Sequence, residues 1–380
     1  MKNKIMIVFG TRPEAIKICP LVLALKKDSN FDVLVCSTGQ HKEMLYQVLD
    51  IFNVKPNYEL NLMNKCNSLS TLTSKIITGI DEIIKKENPQ MLLIQGDTTT
   101  SLASSIAGFY NKLKIIHLEA GLRTFNKYSP FPEEINRKII SSYSDFNLAP
   151  TSLNEKNLID ENISKSTIFI TGNTVIDSLF YVCKKIQDNK EFRDLVLKSL
   201  SKKINLNEIK KNYIIVTCHR RENHGDGLKK ISNALKKISL INPEYSIIFP
   251  VHLNPKIKNY VKDYLGSINN IFLTEPLDYV EFIYLMRECK FLISDSGGIQ
   301  EEAPSLGKPV LVTRDHTERQ EAISAGTVIL CGTNENKIID LANTLINDKE
   351  EYNRISQIKN PYGDGKSSQF ILNILKDKFI

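Results

Sequence analysis

The stretch KIMIVF (Lys4–Phe9), followed at once by GTRPEAIK (Gly10–Lys17), decides the fold of this chain. Its apolar first half predicts a strand buried on both faces, and Pro13 in the second half predicts the first turn of a helix. The same succession of short apolar runs and longer amphipathic stretches continues almost to the last residue. It predicts an α/β chain whose parallel sheets are covered by helices on both faces.

Short β-branched and apolar runs mark the predicted strands. In chain order these runs are Lys4–Phe9, Asp32–Ser37, Met91–Gln95, Lys114–Leu118, Phe146–Ala149, Ile168–Ile170, Tyr213–Cys218, Ser246–Val251, Ile271–Leu273, Phe291–Ser294, Val310–Thr313 and Val328–Leu330. Amphipathic stretches fill the gaps between them. Leu69–Lys86 is the clearest, because its isoleucines recur at the spacing of one helix face.

The series of strands restarts near Tyr213, after a Lys-rich stretch at Val182–Lys211 that is predicted to be helical. A chain of 380 residues has room for more than one domain. We therefore predict two doubly wound, Rossmann-like domains, at 1–172 and 173–361, joined by a hinge within 172–205. Residues 362–380 are predicted to form a last helix.

Composition is that of an ordinary globular protein, with 42% hydrophobic residues. Lys and Arg number 50 against 43 Asp and Glu, for a net charge of +7, and the lysines are scattered rather than stacked in one block. We therefore expect no nucleic-acid partner, and affinity for small anions fits the mildly basic charge as well. The 7 cysteines are odd in number and form no CxxC pair, so we expect reduced thiols. Apolar runs are too short for a signal peptide or a membrane span, so we expect a cytoplasmic protein without a membrane partner.

Polar segments directly follow several of the predicted strands. Ligands of open parallel sheets bind beyond the carboxyl ends of the strands, so these segments are candidate site residues. If two domains face each other, the segments line one cleft. The segments are GTRPEAIK (Gly10–Lys17), GDTTT (Gly96–Thr100), EAGLR (Glu119–Arg123), HRREN (His219–Asn223) and DSGGIQEE (Asp295–Glu302).

Two of these segments have the composition of an anion site. Arg12 and Lys17 straddle a predicted helix start, where cations and backbone N–H groups favour an anion, although a plain strand-to-helix turn is the alternative. The SGG run (Ser296–Gly298) precedes a helix predicted to begin near Ile299, and its glycines let N–H groups approach a phosphate. Glu302, one turn later, can reach a ribose diol or can be a solvated helix residue.

Carboxylates at strand ends are the candidates for acid–base chemistry. Asp97 and Glu119 follow two different strands, and Glu133 follows Pro132 at a predicted helix start. For each, a purely structural role as a helix cap or first-turn acid is the alternative. His219 lies at a strand end among cations and is either a catalytic or a structural histidine.

Metal and cofactor motifs are missing from the sequence. It contains no HExxH, no GxGxxG and no GxxxxGK[ST], which argues against a zinc site, tightly held NAD and a P-loop nucleotidase. We therefore expect neither a metal nor a cofactor.

Together these motifs resemble the bacterial non-hydrolysing UDP-N-acetylglucosamine 2-epimerases, from about Lys4 to Lys366 and in the family's order. The resemblance rests on the polar segments above and on HLEAGLR (His117–Arg123), SPFPEE (Ser129–Glu134) and Asp295–Lys308. It implies a GT-B type fold, a homodimer, a last helix that returns to the first domain, and interconversion of UDP-GlcNAc and UDP-ManNAc.

The resemblance also implies residue roles. UDP would be held from the second domain, with Ser296–Gly298 at the diphosphate, Glu302 at the ribose, and the backbone around Leu277 and Phe282 at the uracil. The charged and hydrogen-bonding groups around the phosphates and the sugar would be Arg12, Lys17, His219 and Arg319. The carboxylates at the sugar would be Asp97, Glu119 and Glu133.

The implied reaction is elimination of UDP from C1 with loss of the C2 proton, followed by re-addition to the glycal. Of the three carboxylates, we expect Asp97 and Glu133 to transfer protons and Glu119 to bind the sugar. A hydrolysing relative that releases ManNAc, an epimerase of a modified UDP-sugar, a glycosyltransferase and a non-catalytic nucleotide-binding module are the alternatives.

Many members of the family require a second UDP-GlcNAc as activator. Gln40, Arg220 and His252 match that activator site. Glu43 and Cys66, however, stand where such members carry Gln and Arg. We therefore expect no strict requirement for an activator.

Overall fold

The computed structural model describes residues 2–39, 42–62, 66–218, 220, 223 and 225–379, with only the backbone of 42–44. The chain divides into two compact units, unit 1 (Met1–Ser178 with Tyr362–Ile380) and unit 2 (Leu179–Pro361). The division falls after residue 178, inside a helix, whereas the sequence analysis placed the domain boundary after residue 172.

Unit 1 is built on a parallel sheet that has seven strands in the described part of the chain, in the order β3-β2-β1-β4-β5-β6-β7. Its strands are β1 (Asn3–Phe9), β2 (Phe31–Ser37), β3 (Tyr58–Glu59), β4 (Met91–Gln95), β5 (Lys114–Leu118), β6 (Phe146–Ala149) and β7 (Ile168–Ile170). Its helices are α1 (Arg12–Lys27), α2 (Lys42–Phe52), α3 (Leu69–Glu87), α4 (Thr99–Tyr110), α5 (Glu133–Tyr143), α6 (Ser152–Asp160), the first part of α7 (Thr174–Asp188), and α16 (Ser367–Phe379).

Unit 2 repeats the plan with a parallel sheet of six described strands, in the order β10-β9-β8-β11-β12-β13. Its strands are β8 (Tyr213–Thr217), β9 (Ser246–Pro250), β10 (Ile271–Thr274), β11 (Leu292–Ser294), β12 (Val310–Val312) and β13 (Val328–Leu330). Unit 2 begins with the last part of α7. Its other helices are α8 (Lys190–Leu200), α9 (Asp226–Ile241), α10 (Pro255–Leu265), α11 (Tyr279–Glu288), α12 (Gly297–Glu302), α13 (Gln320–Ala325), α14 (Glu335–Asn347) and α15 (Lys349–Ser356).

The cores lie where the apolar runs predict them. Every residue of β4 is buried, and so are Ile5–Phe9 of β1, because helices cover both faces of the sheet. On α3 the buried stripe consists of Leu72, Ile76, Ile80, Ile83 and Ile84. This apolar spacing turns one face of the helix onto the sheet and leaves the lysines outside.

Several sequence predictions need correction. The stretch Val182–Lys211, predicted to be helical, is divided between two helices, since α7 ends at Asp188 and α8 ends at Leu200, and helix is absent from the described residues 203–211. Asn189 causes the break, since its side chain accepts a hydrogen bond from the Phe192 N–H (2.9 Å) and caps a new helix. The short strand β3 was missed, since two residues carry no periodicity.

The last helix, α16, belongs to unit 1. It packs on α1, Lys376 Nζ lies 2.9 Å from Asp28 Oδ2, and the Asn3 amide donates to the Phe379 carbonyl oxygen at 3.2 Å. The backbone N–H groups of Ser367 and Ser368, at its start, donate to the Asp177 carboxylate (3.2 and 2.7 Å). Among the residues described, no helix is long and apolar enough to cross a membrane.

Candidate functional site

In unit 1 the candidate site lies at the carboxyl ends of β4 and β5, which pair in register. Gly96 directly follows β4 and has a positive φ of +67°, and its N–H donates to the Leu118 carbonyl at the end of β5 (2.9 Å). A side chain at 96 would place its Cβ 3.4 Å from Glu119 Oε2. The glycine therefore lets the two strand ends come together beside that carboxylate.

Glu119 is the most constrained of the predicted carboxylates. Its own φ is +67°, a left-handed conformation that is uncommon for a residue with a side chain. Its Oε1 accepts from Lys17 Nζ and from Asn173 Nδ2 (3.0 Å), and its Oε2 accepts from Gln95 Nε2. Donors from α1, β4 and the start of α7 thus fix both oxygens of one carboxylate.

Asp97 is not the cap of α4, because Thr98 fills that position and accepts from the Ser101 N–H (3.1 Å). The Asp97 side chain instead pairs with Arg137 Nη2 on α5. The backbone carbonyl oxygen of Asp97 accepts from Asn136 Nδ2 (2.8 Å). Burial raises the pKa of Asp97, and the nearby charge of Glu119 raises it further, while Arg137 and Lys17 oppose the rise.

Glu133 is the first residue of α5 and is half-buried. Burial raises its pKa, and the negative charge of Asp97 adds to the rise. Asp97 and Glu133 therefore interact electrostatically. Glu134, its neighbour, accepts from the backbone N–H groups of Thr124 and Phe125 (3.0 Å each) and has a structural role.

The start of α1 has the capped strand-to-helix turn that was the alternative interpretation of GTRPEAIK, and its anion site stays a prediction. Thr11 caps the helix, and Glu14 completes a capping box. Glu14 is 1% exposed and also accepts from Thr98 Oγ1 (2.7 Å), so it ties α1 to α4. Arg12 is the first residue of α1 and is partly exposed, while Lys17 reaches Glu119 one turn later.

His117 lies inside the same cluster, on β5, fully buried. Its Nε2 is 2.8 Å from the Gly96 carbonyl oxygen, and its Nδ1 is 3.3 Å from Ser141 Oγ. Burial lowers the pKa of His117 to about 4. The ring is therefore neutral at physiological pH and serves to hold the Gly96 turn.

In unit 2 the SGG run forms the turn between β11 and α12, which begins at Gly297, two residues before Ile299, near which the start was predicted. Ser296 is the N-cap, and its N–H donates to Ser294 Oγ (3.0 Å). The Arg319 guanidinium lies so close to Gly297 that an added Cβ would stand 3.1 Å from Cζ. At Gly298 an added Cβ meets nothing nearer than 3.9 Å, so the backbone there is open to a ligand.

Arg319 is held by two carboxylates. Its Nε and Nη2 lie 2.9 and 2.7 Å from Glu301 Oε1, and its Nη1 lies 2.6 Å from Glu318 Oε1. Glu318 also accepts from Arg314 (2.8 Å) and from Arg220 (3.3 Å). Although burial opposes it, the three arginines lower the pKa of Glu318 to about 2.

The other residues assigned to UDP surround α12 and the start of α11. Glu302 is 7% exposed and accepts from the Tyr279 hydroxyl (2.6 Å). Leu277 is buried just before the cap of α11, and Phe282 is a partly buried residue in its first turn.

Of the predicted activator residues, Arg220 has its backbone N–H bonded to Asp295 (2.9 Å), and His252 accepts from the Asn254 N–H through Nδ1 (3.0 Å). Gln40 and the predicted catalytic His219 lie outside the described residues.

The structure thus brings the predicted residues together in two groups, one in each unit. Asp97, Glu119, Glu133 and Lys17 form the unit-1 group, and Ser296, Gly297, Gly298, Glu302 and Arg319 form the unit-2 group. Within the part of the chain that is described, no group of His, Cys, Asp or Glu side chains could hold a metal ion.

Sequence reasoning missed the partners of these side chains. Arg137, Gln95, Asn173 and Glu318 each contact a predicted site residue. Two of them carry a signal: Gln95 is a polar residue that ends an apolar strand, and Arg137 lies one turn after Glu133 on the same helix. Asn173 and Glu318 could be found only from the fold.

Comparison with known proteins gives one consistent result. The family model described as UDP-N-acetylglucosamine 2-epimerase matches residues 23–376. A UDP-N-acetylglucosamine 2-epimerase of Campylobacter jejuni is 50% identical over 375 residues, covering 99% of this chain and 98% of the relative. That of Yersinia pestis is 46% identical over 374 residues, covering 98% of each chain.

Solved structures agree with the sequence comparisons. The UDP-GlcNAc 2-epimerase of Neisseria meningitidis bound to UDP-GlcNAc has a TM-score of 0.89 and 44% identity, covering 98% of this chain and 100% of that one. Staphylococcus aureus MnaA in a co-structure with UDP has a TM-score of 0.86 and 40% identity, covering 99% and 96%. The predicted fold class, two Rossmann-like α/β domains of the GT-B type, is confirmed. This chain belongs to the UDP-N-acetylglucosamine 2-epimerase family.

Proposed function

We propose that this chain interconverts UDP-GlcNAc and UDP-ManNAc by inverting C2 of the sugar without net hydrolysis. The observation that carries the proposal is the unit-1 group, in which Asp97, Glu119 and Glu133 gather at the ends of β4 and β5 and the start of α5. Relatives of similar length are UDP-N-acetylglucosamine 2-epimerases, and one was solved with UDP-GlcNAc bound.

The reaction needs a base at C2 and stabilised charge at C1. The C1–O bond breaks and its electron pair leaves with UDP, a carboxylate takes the C2 proton, and a double bond forms between C1 and C2. Return of a proton to the opposite face of C2 and re-addition of UDP at C1 complete the inversion. A positioned acid–base group contributes on the order of 10²–10⁴ to the rate of such a step.

Asp97 and Glu133 are the proposed proton-transfer groups. Burial raises the pKa of both carboxyl groups; the charge of Glu119 raises that of Asp97 further, and the charge of Asp97 raises that of Glu133 further. A carboxyl group whose pKa lies above its ordinary value exchanges protons more readily near neutral pH. Glu119, whose oxygens are held by three donors, is instead the proposed sugar-binding carboxylate.

Unit 2 is the proposed holder of UDP. Ser296–Gly298 offers backbone N–H groups to the diphosphate, with open space at Gly298 and the Arg319 cation against Gly297. Glu302 is proposed to bind the ribose, and the backbone at Leu277 and Phe282 the uracil. Arg12 and Lys17 of α1 are proposed to add positive charge at the phosphates and the sugar. The relative from Staphylococcus aureus, solved with UDP, supports a UDP site in this fold.

The decisive experiment is a proton-NMR time course with UDP-GlcNAc in D2O. We expect UDP-ManNAc to form with deuterium at C2. Free ManNAc with UDP would indicate the hydrolysing alternative, transfer that needs an added acceptor would indicate a glycosyltransferase, and UDP binding with no conversion would indicate a non-catalytic module. Modified UDP-acetamido sugars run in parallel test the substrate.

Asp97→Asn tests the carboxylate assignment. It should abolish deuterium exchange at C2, while Asp81→Asn, which changes a carboxylate on α3 that pairs with Lys85, should leave exchange intact. Wild-type exchange in Asp97→Asn would remove Asp97 from proton transfer.

Two further properties belong to the proposal. Rates from UDP-ManNAc alone should be hyperbolic if no activator is required, and an inactive enzyme that is rescued by added UDP-GlcNAc would show strict activation. We also propose a homodimer, by resemblance to the family, which light scattering on the full chain tests directly.

A further inference from the structure

Arg137 occupies an unusual position between two carboxylates. It lies on α5, and its side chain is 7% exposed. Nη2 pairs with Asp97 Oδ2, and Nη1 lies 3.3 Å from Glu134 Oε2. Nε is buried and has no hydrogen-bond partner in the described part of the chain. The guanidinium therefore uses its two terminal nitrogens to join Asp97 to Glu134.

Glu134 is itself buried and bonded to the backbone. It is 1% exposed, and its two oxygens accept the backbone N–H groups of Thr124 and Phe125 (3.0 Å each). Through Glu134, the Nη1 atom of Arg137 is thereby anchored to the backbone of the loop that follows β5. Because the guanidinium is planar and rigid, anchoring Nη1 also fixes Nη2 and can orient the carboxylate that Nη2 binds.

We propose that Arg137 is a positioning residue for Asp97, which holds Oδ2 so that the other carboxylate oxygen is presented to the C2 proton. This inference rests on the proposed function and deepens it. The guanidinium is engaged by Asp97 and Glu134, so in this proposal its contribution reaches the reaction through the Asp97 carboxylate.

The charges around Asp97 give the proposal a second consequence. Arg137 faces it from α5, Lys17 from α1 and Glu119 from the end of β5, and Glu133 also interacts with it. Burial and Glu119 raise the pKa of Asp97, and Arg137 is the largest influence that lowers it. Without Arg137, Asp97 would keep its proton to higher pH and would be a base only in more alkaline solution.

Arg137→Lys and Arg137→Met test the inference in the full-length protein. The rate of C2 deuterium exchange is measured from pH 5 to pH 9. We expect the acidic limb of kcat/KM to move up by about one pH unit or more in Arg137→Met, since a neighbouring opposite charge shifts a carboxyl pKa by that amount. Arg137→Lys keeps the charge but loses the fork, so kcat should fall on the order of tenfold to a hundredfold with a smaller shift.

The matched control is Arg123→Lys. Arg123 is also a buried arginine of unit 1, but its guanidinium pairs with Glu161 (2.7 Å) and with no site carboxylate among the described residues. A general loss of packing should appear in both lysine variants, whereas the shift of the acidic limb should appear only at position 137. An unshifted limb in both Arg137 variants overturns the inference.

A second readout does not depend on turnover. In protein labelled with ¹³C at aspartate carboxyl groups, the Asp97 signal is identified by its absence from Asp97→Asn and titrated in wild type and Arg137→Lys or Arg137→Met. A higher Asp97 pKa in either variant supports the inference, and an unchanged one overturns its electrostatic part. If the wild type shows no C2 exchange, the proposed function fails, and this titration still decides what Arg137 does to Asp97.

Discussion

Glu318 and Arg319 are neighbours in the chain and also ion-pair partners, with Arg319 Nη1 2.6 Å from Glu318 Oε1. The same oxygen lies 3.3 Å from Arg220 Nη2, so one carboxylate joins a residue assigned to UDP and a residue assigned to the activator. The arginines assigned to the two proposed ligands of unit 2 therefore share one acid that is itself assigned to neither ligand.

Replacement of Glu318 should change how stability depends on pH. Its pKa is about 2 in the folded protein, below its ordinary 4.5, so the unfolded state takes up the proton first as pH falls. The stabilisation is present above pH 4.5 and is lost toward pH 2. Between pH 4.5 and pH 3, wild type should lose about 2 kcal/mol more unfolding free energy than Glu318→Gln, as measured by urea unfolding. Parallel pH profiles would contradict the ion-pair cluster.

Asn173 should affect activity more than stability. Its Nδ2 donates to Glu119 (3.0 Å), and its Oδ1 accepts from the Val175 N–H (3.1 Å) at the start of α7. Serine can still cap the helix but is too short to reach Glu119. Asn173→Ser should therefore change the unfolding free energy by less than about 1 kcal/mol while lowering kcat on the order of tenfold. Unchanged kcat would show that the amide does not orient Glu119.

His117 should make the protein less stable in mild acid. Burial lowers its pKa to about 4 from 6.5, so the stabilisation is complete above pH 6.5 and declines as pH falls toward 4. Between pH 6.5 and pH 5, wild type should lose about 2 kcal/mol more than His117→Gln. His316→Gln, which changes an exposed histidine, serves as the control and should follow the wild-type profile.

Asp177 should hold the last helix in place. Its carboxylate accepts the N–H groups of Ser367 and Ser368, which otherwise lack partners within the first turn of α16. Asp177→Ala should lower the unfolding free energy by about 1–2 kcal/mol, in the range found for lost helix caps. Asp364→Ala removes an exposed carboxylate just before the same helix and should have little effect. Equal effects of the two variants would assign the loss to local charge.

The fold was predictable because its strands are unusually apolar. β4 and β5 begin and end at the predicted residues, since their runs are buried on both faces and end in Gly96 and Glu119. The break at Asn189 escaped prediction because lysines and leucines on both sides of it have equally good helix spacing. In the same way, Asp97 and Glu119 could be predicted as site residues because each follows an apolar strand in the sequence. Asn173 is 54 residues from Glu119 in the chain, and their contact could be found only from the order of strands in the sheet.

The position of α16 has a consequence for the order in which the protein is made. Unit 2 is one continuous segment, Leu179–Pro361, inserted between the two parts of unit 1. On the ribosome, unit 2 can complete its own sheet while α1 still lacks the cover that α16 supplies. A nascent chain must therefore carry an uncovered apolar helix face through the whole synthesis of unit 2, and chaperones that recognise such faces have their longest opportunity there.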